Sequence, residues 1–451
     1  MTTLGQHGAA PEAVEATYRR ITWRLIPFLI ICYISAFVDR SNIGIAKLQL
    51  SRDIGLTEAM YGLGGGLFYL GYSMLEVPSN LMMVRIGPRA TIARVMLLWS
   101  LCSAATAFII APAHFYILRF LLGAAEAGFF PGVLFYLGQW VPARRRARFT
   151  ALFMSSMALS GVISSPISGL IMHNMGGLAG LKGWQWLFLI EGLPGCLLAA
   201  AALYCLTDRP DQARWLTPAQ KAIVLADLEA DAADKRVGSH TSFVGALKDG
   251  RFYVLALMSM GMIAGVGGLA LWVPTVIQRT GVTNVWHVGL LAAVPYICGV
   301  AAQQLVAWSS DRRGERRWHA AGPALVAAAA WCLLPVVKDS TWLSLAVVTV
   351  VSMGMFGATG PFWSAPSNYL RGTAAAGGIA LITTAGAVAG FFSPILVGWL
   401  TDVTGQLAAG QYYFGGLLAV GALALLLGLR SRAVADSAPL ASTTPIVGEH
   451  P

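Results

Sequence analysis

Charge is scarce in this chain. Only 12% of its 451 residues are Asp, Glu, Lys or Arg, against 56% hydrophobic residues and a mean hydropathy of +0.65. A soluble domain of that composition would be short of solvating surface, so the chain reads as an integral membrane protein. Other absences narrow the class. No G-x-x-x-x-G-K-[ST] phosphate loop occurs, which excludes ATP hydrolysis by that route. Six cysteines (Cys32, Cys102, Cys196, Cys205, Cys298, Cys332) lie in apolar runs without ligand spacing, and no two of the seven histidines pair at such spacing. The cysteines are expected as small buried hydrophobes, with no metal or other cofactor. No nucleophile, base and orienting group line up in the apolar runs, so an enzyme is not expected. Residues 1–18 have no apolar core and do not read as a secretion signal.

What is present is a series of apolar stretches, each long enough to cross a hydrocarbon core of ~30 Å as a helix. Twelve are counted. They start near Trp23, Ala59, Thr91, Phe115, Phe149 and Trp184, then Tyr253, Val288, Ala320, Trp342, Ala374 and Tyr413. The formal charge of +10 does not point to nucleic acid, because the basic residues follow topology. On a twelve-span arrangement, the side holding both termini collects 24 of the 31 Lys and Arg, the opposite side has five (Lys47, Arg52, Lys182, Arg279, Lys338), and Arg40 and Arg119 lie within spans. The positive-inside rule then predicts cytoplasmic termini in a multi-pass inner-membrane protein.

The expected organisation is an all-α polytopic protein: a cytoplasmic tail over 1–20, a six-helix bundle over 21–206, a cytoplasmic linker over 207–250, a second six-helix bundle over 251–430, and a disordered tail over 431–451. In the linker, Thr217-Pro218-Ala219-Gln220 has the form of a capping box with proline at the first helical position. The turns Arg85-Ile86-Gly87-Pro88-Arg89 and Ser310-Asp311-Arg312-Arg313-Gly314 occupy corresponding places in the two halves. That correspondence favours a duplicated transporter with its site between the halves. Small residues are spaced for close helix approach: Gly62 and Gly66 form a small-xxx-small pair on the second span, while Gly161, Pro166 and Gly169 interrupt the fifth.

Ionisable residues at bilayer depth are costly and usually mark a translocation path or proton relay. Asp39 and Arg40 sit together in the first span. Arg119 and Glu126, seven apart, project from one face of the fourth, with Gly123 expected to leave room between them. The four charges could meet in one cavity, Asp39 and Glu126 taking the proton, Arg40 and Arg119 an anion. Glu76 is expected to form a structural or gating ion pair within reach of the Arg85 to Arg94 loop, Glu191 to have a structural role, and Arg85, Arg89, Asp311 and Arg312 gating or structural roles in the two matching turns. The second half has no deep charge, and Trp363 and Thr383, with Tyr72 from the first, are candidates for shaping a substrate pocket.

Four segments then carry a resemblance: 36–44 (AFVDRSNIG), 119–132 (RFLLGAAEAGFFPG), 183–192 (GWQWLFLIEG) and 310–319 (SDRRGERRWH). They resemble the major facilitator superfamily and, more narrowly, its anion:cation symporter family, on the branch of tartrate, phthalate and hydroxyphenylacetate permeases. The similarity runs from about Thr22 to Arg430. It implies two pseudo-symmetric six-helix bundles, alternating access, and proton-driven uptake of organic carboxylates. By motif, Asp39 and Glu126 match the family's protonatable pair, Arg40 its anion-binding arginine, and Arg119 the arginine supporting that cavity. Thr383 and Ala387 stand where many relatives carry Asn, which leaves the acid unnamed. The expected partners are a small organic acid, protons and the lipid bilayer, with the chain acting as a monomer. Efflux by antiport and a transport-inactive nutrient receptor remain alternatives.

Overall fold

The computed structural model describes residues 10–237, 250–369 and 373–428. The tail expected over 431–451, residues 1–9 and part of the linker lie outside these. Fifteen α-helices make up the described chain: α1 (Pro11–Ile54), α2 (Glu58–Ile86), α3 (Pro88–Ala105), α4 (Pro112–Glu126), α5 (Phe129–Trp140), α6 (Ala143–Asn174), α7 (Gly183–Gly192), α8 (Pro194–Cys205), α9 (Pro218–Val237), α10 (Gly250–Arg279), α11 (Val285–Arg313), α12 (Arg317–Leu333), α13 (Thr341–Tyr369), α14 (Thr373–Thr404) and α15 (Ala408–Gly428). Among the described residues ten helices, counting α4–α5 and α7–α8 as one each, are long and apolar enough to cross a bilayer. Glycine-rich α2 and α6, which opens on an arginine cluster, complete the twelve spans in two six-helix bundles.

Helix α1 starts at Pro11, inside the stretch expected as tail. At 44 residues it is about 66 Å long, twice the hydrocarbon core, so its first turns project beyond the membrane. They are held there because Tyr18 donates to Asp227 of α9 at 2.8 Å and Thr17 is buried beside it. Helix α9 itself begins as its sequence dictates. Thr217 Oγ1 accepts from the Gln220 N–H at 3.3 Å, while Gln220 Oε1 accepts from the Thr217 N–H at 3.2 Å, a closed capping box.

Two spans are broken, each just after a carboxylate. Helix α4 stops at Glu126, and Gly128, at φ +88°, takes the left-handed turn that starts α5. Helix α7 stops one residue past Glu191, because Pro194 has no N–H to continue it.

The bundles meet on the face opposite the termini. There the Gly62 and Gly66 backbone of α2 lies against the Pro394 and Phe391 carbonyls of α14, and Gly169 of α6 lies against Val285 and Gly289 of α11. The small residues let backbones touch where side chains would hold them apart. Polar contacts close the same face. Both carboxylate oxygens of Asp402, at the end of α14, accept from the first N–H groups of α2, Glu58 at 3.0 Å and Ala59 at 2.9 Å. Tyr61 of α2 donates to the Leu271 carbonyl of α10 at 3.2 Å, and Glu58 joins Lys47 (2.6 Å) to Arg279 (3.4 Å).

Candidate functional site

The buried charges are paired differently from their order in sequence. Arg40 donates through Nε to Glu126 Oε2 at 2.5 Å, joining α1 to the broken end of α4. That bond uses one edge of the guanidinium. Its side chain keeps 23% exposure, and no other side-chain hydrogen bond is made by Arg40 among the described residues, so its two Nη groups remain open to a ligand. Asp39, one residue earlier and fully buried, points to the other side of α1 and accepts from Ser103 of α3 at 2.5 Å. The two neighbours separate because adjacent helical residues project about 100° apart.

Arg119 does not pair with Glu126. Its guanidinium lies 5.2 Å from the centre of the Phe68 ring of α2, and Arg40 approaches the same ring, also at 5.2 Å, with Phe37 and Tyr72 at 5.6 and 5.3 Å. An aromatic cluster thus takes up positive charge that one carboxylate cannot neutralise. Gly123 serves this packing rather than room between charges: a Cβ there would strike the Phe68 carbonyl, so the residue lets α2 and α4 close. Glu126 sits at the C-terminal end of α4, where the helix dipole disfavours a negative charge, and its Oε1 has no hydrogen-bond partner.

One other expectation changes. Glu76 forms no ion pair with Arg85 or Arg89. It lies about two and a half helical turns from Arg85, and its electrostatic neighbour is Arg40. Arg89 instead donates its backbone N–H to Asp208 at 2.8 Å, and Arg85 is exposed. In the matching turn, Asp311 pairs with Arg316 at 2.6 Å, while Arg312 lies over Trp308 at 5.5 Å. Glu315 caps α12 by accepting from the Trp318 N–H at 2.7 Å and the His319 N–H at 3.2 Å. Partial burial raises the Glu315 carboxyl, but these N–H groups and the His319 ring outweigh it and hold the carboxyl below its ordinary value. Glu191 accepts from Ser168 at 2.6 Å.

On the second bundle, Trp363 stacks edge-to-face on Phe362 at 5.0 Å, and Thr383 is half-buried on α14. Neither joins the Arg40 cluster in any described contact. The side chain that spans the halves at this depth is Tyr69, packed against Gly390 of α14 and next to Gly267 of α10, with Arg40 and Arg119 as electrostatic neighbours. Sequence reasoning missed it, although it stands three residues before Tyr72 on the same face. Lys47, counted in the sequence among connection residues, is 6% exposed and lies 4.5 Å from the Tyr61 ring. Among the described residues no three His, Cys, Asp or Glu side chains converge as metal ligands.

Twelve spans in two bundles that meet on one face, with an arginine–carboxylate pair inside the first bundle, are the architecture of a membrane transporter and not of an enzyme. The chain belongs to the Major Facilitator Superfamily, whose model matches residues 29–394. It is 43% identical over 446 residues, 99% of this chain and 97% of the other, to an Agrobacterium vitis protein named "Putative tartrate transporter". A quinolone resistance transporter of Acinetobacter baumannii is 40% identical over 400 residues, 88% of this chain and 91% of its own. The fold matches that of the D-xylose-proton symporter with a TM-score of 0.71 at 14% identity, over 90% of this chain and 98% of that one.

Proposed function

We propose that the protein takes up a small organic carboxylate together with protons by alternating access across a bacterial inner membrane. The observation that carries this is the single-edged Arg40–Glu126 pair. A proton arriving on Glu126 neutralises the carboxylate, releases Nε of Arg40, and leaves the guanidinium to hold the carboxylate of the substrate. The charge around Arg40 is the same before and after, which keeps the exchange affordable in a low dielectric. Arg119, held over Phe68, adds positive potential to the same wall. The tartrate name of the 43% identical relative supports a carboxylate substrate. With the termini cytoplasmic, as the distribution of Lys and Arg predicts, the closed glycine contacts lie outside and the conformation is inward-facing.

Proteoliposomes test this reading. An inward proton gradient should drive accumulation of radiolabelled tartrate, and Glu126→Gln should remove that drive. Uptake indifferent to the gradient would overturn the coupling. The quinolone resistance relative motivates a second reading, efflux by antiport. Accumulation of a quinolone in everted vesicles on internal acidification would favour it.

A further inference from the structure

Glu191 is a second buried carboxylate set at a helix break, and among the described residues no cation pairs with it. Its exposure is 8%, one oxygen accepts from Ser168 of α6, and the other faces the Asn42 amide of α1 without a well-formed hydrogen bond. The cation at the start of its helix, the N-cap residue Lys182, is paired with Asp53 at 2.8 Å. The titratable group facing it is Asp39, from α1, whose Oδ2 is likewise unpartnered, while α3 presents Ser103 and α6 presents Ser168. Asn42, 1% exposed, is thus the neutral donor available to Glu191, and it supplies no positive charge. A buried ionised carboxylate without a cation is costly enough that such a group neutralises instead.

The surroundings give that proton a route. A void of about 10 Å³, about the room one water needs, lies between Ser41, Ser164, Ser165 and Ser168 of the first bundle and Pro274 and Tyr296 of the second. Ser41 and Ser164 are 3.3 Å apart, and Ser168 touches Glu191. Ser168 is followed by Gly169, whose backbone closes on Gly289 of α11. Parting the bundles at that contact would open the serine-lined seam to the face opposite the termini.

We propose that Glu191 is a further proton-binding site, occupied while that face is closed and exchanging through the serine seam when it opens. This extends the proton-coupled reading above to a carboxylate remote from the arginines. Infrared spectroscopy of the full-length protein at neutral pH tests occupancy directly: Glu191→Gln should remove one protonated-carboxyl C=O band, distinct from any band lost in Asp39→Asn. If Glu191→Gln does not fold, Glu191→Asp should shift that band. An unchanged spectrum in a folded variant would overturn the assignment. In D₂O, Gly62→Leu, which props the far face open, should accelerate the isotope shift of the Glu191 band, and an unaltered exchange rate would overturn the route. Tartrate uptake separates the two claims: native uptake indifferent to protons refutes coupling but leaves the infrared result to judge Glu191.

Discussion

The two bundles divide the work unequally. In the first, Asp39, Arg40, Arg119, Glu126 and Glu191 all lie within spans, and their contacts tie α1 to α3 and α4, and α6 to α7. The second offers glycine and aromatic surfaces and sends one carboxylate, Asp402, across the interface. Charge that must change partners needs neighbours within one rigid unit, so that a proton can be traded without first moving a domain. The surface that slides past it is better smooth. On the proposed reading, ion chemistry falls to the first bundle and fit to the second.

The strongest way to break this contrast is at Arg40. Arg40→Ala leaves Glu126 buried without its cation, and loss of one partner from such a pair costs about 3–5 kcal/mol. It should abolish uptake and lower the melting temperature, and thermal unfolding of Arg40→Ala with Glu126→Gln should recover part of the loss. Next is Gly62→Leu. It adds a side chain against the Pro394 carbonyl and should cut uptake by at least tenfold while leaving Arg40 and Glu126 intact. Alkylation of a cysteine placed on the face opposite the termini should rise.

Trp363→Leu and Thr383→Ala sharpen the contrast from the other side. Each should change which of tartrate and a larger aromatic acid competes, by severalfold in inhibition constant, without altering the pH profile of uptake. A changed pH profile would return ion chemistry to the second bundle. The smallest effect is expected at Glu315. Its carboxyl is held below the ordinary value, so its contribution to stability is full above the ordinary carboxylate range and disappears as pH falls through the lowered value. Glu315→Gln should therefore lower the melting temperature slightly at pH 7, and the gap from the native protein should close toward pH 3.

The spans, their number and the depth of Asp39, Arg40, Arg119 and Glu126 were legible because the bilayer leaves few ways to place a polar group. The linker capping box was legible for a local reason, four consecutive residues satisfying one another. Partners across helices were not. Nothing in sequence says that Arg40 turns to Glu126 while Asp39 turns to Ser103, since that depends on how α1 is rotated against α3 and α4. Gly123 looked like space for charge, but its neighbour is a carbonyl on another helix. Lys47 fell at the edge of a span, and its burial comes from Tyr61 on the next helix and from Trp272, far away in the chain.

The cap that Asp402 places on α2 joins residues 344 apart. A helix start satisfied by a residue of the other bundle is complete in only one conformation. When the bundles separate there, Glu58 and Ala59 must turn to water, and a helix cap is worth about 0.5–2 kcal/mol. That is a preference of roughly tenfold between states, since 1.4 kcal/mol is one decade. The contact thus acts as a detent, firm enough to bias the resting conformation and weak enough for a bound solute to overcome.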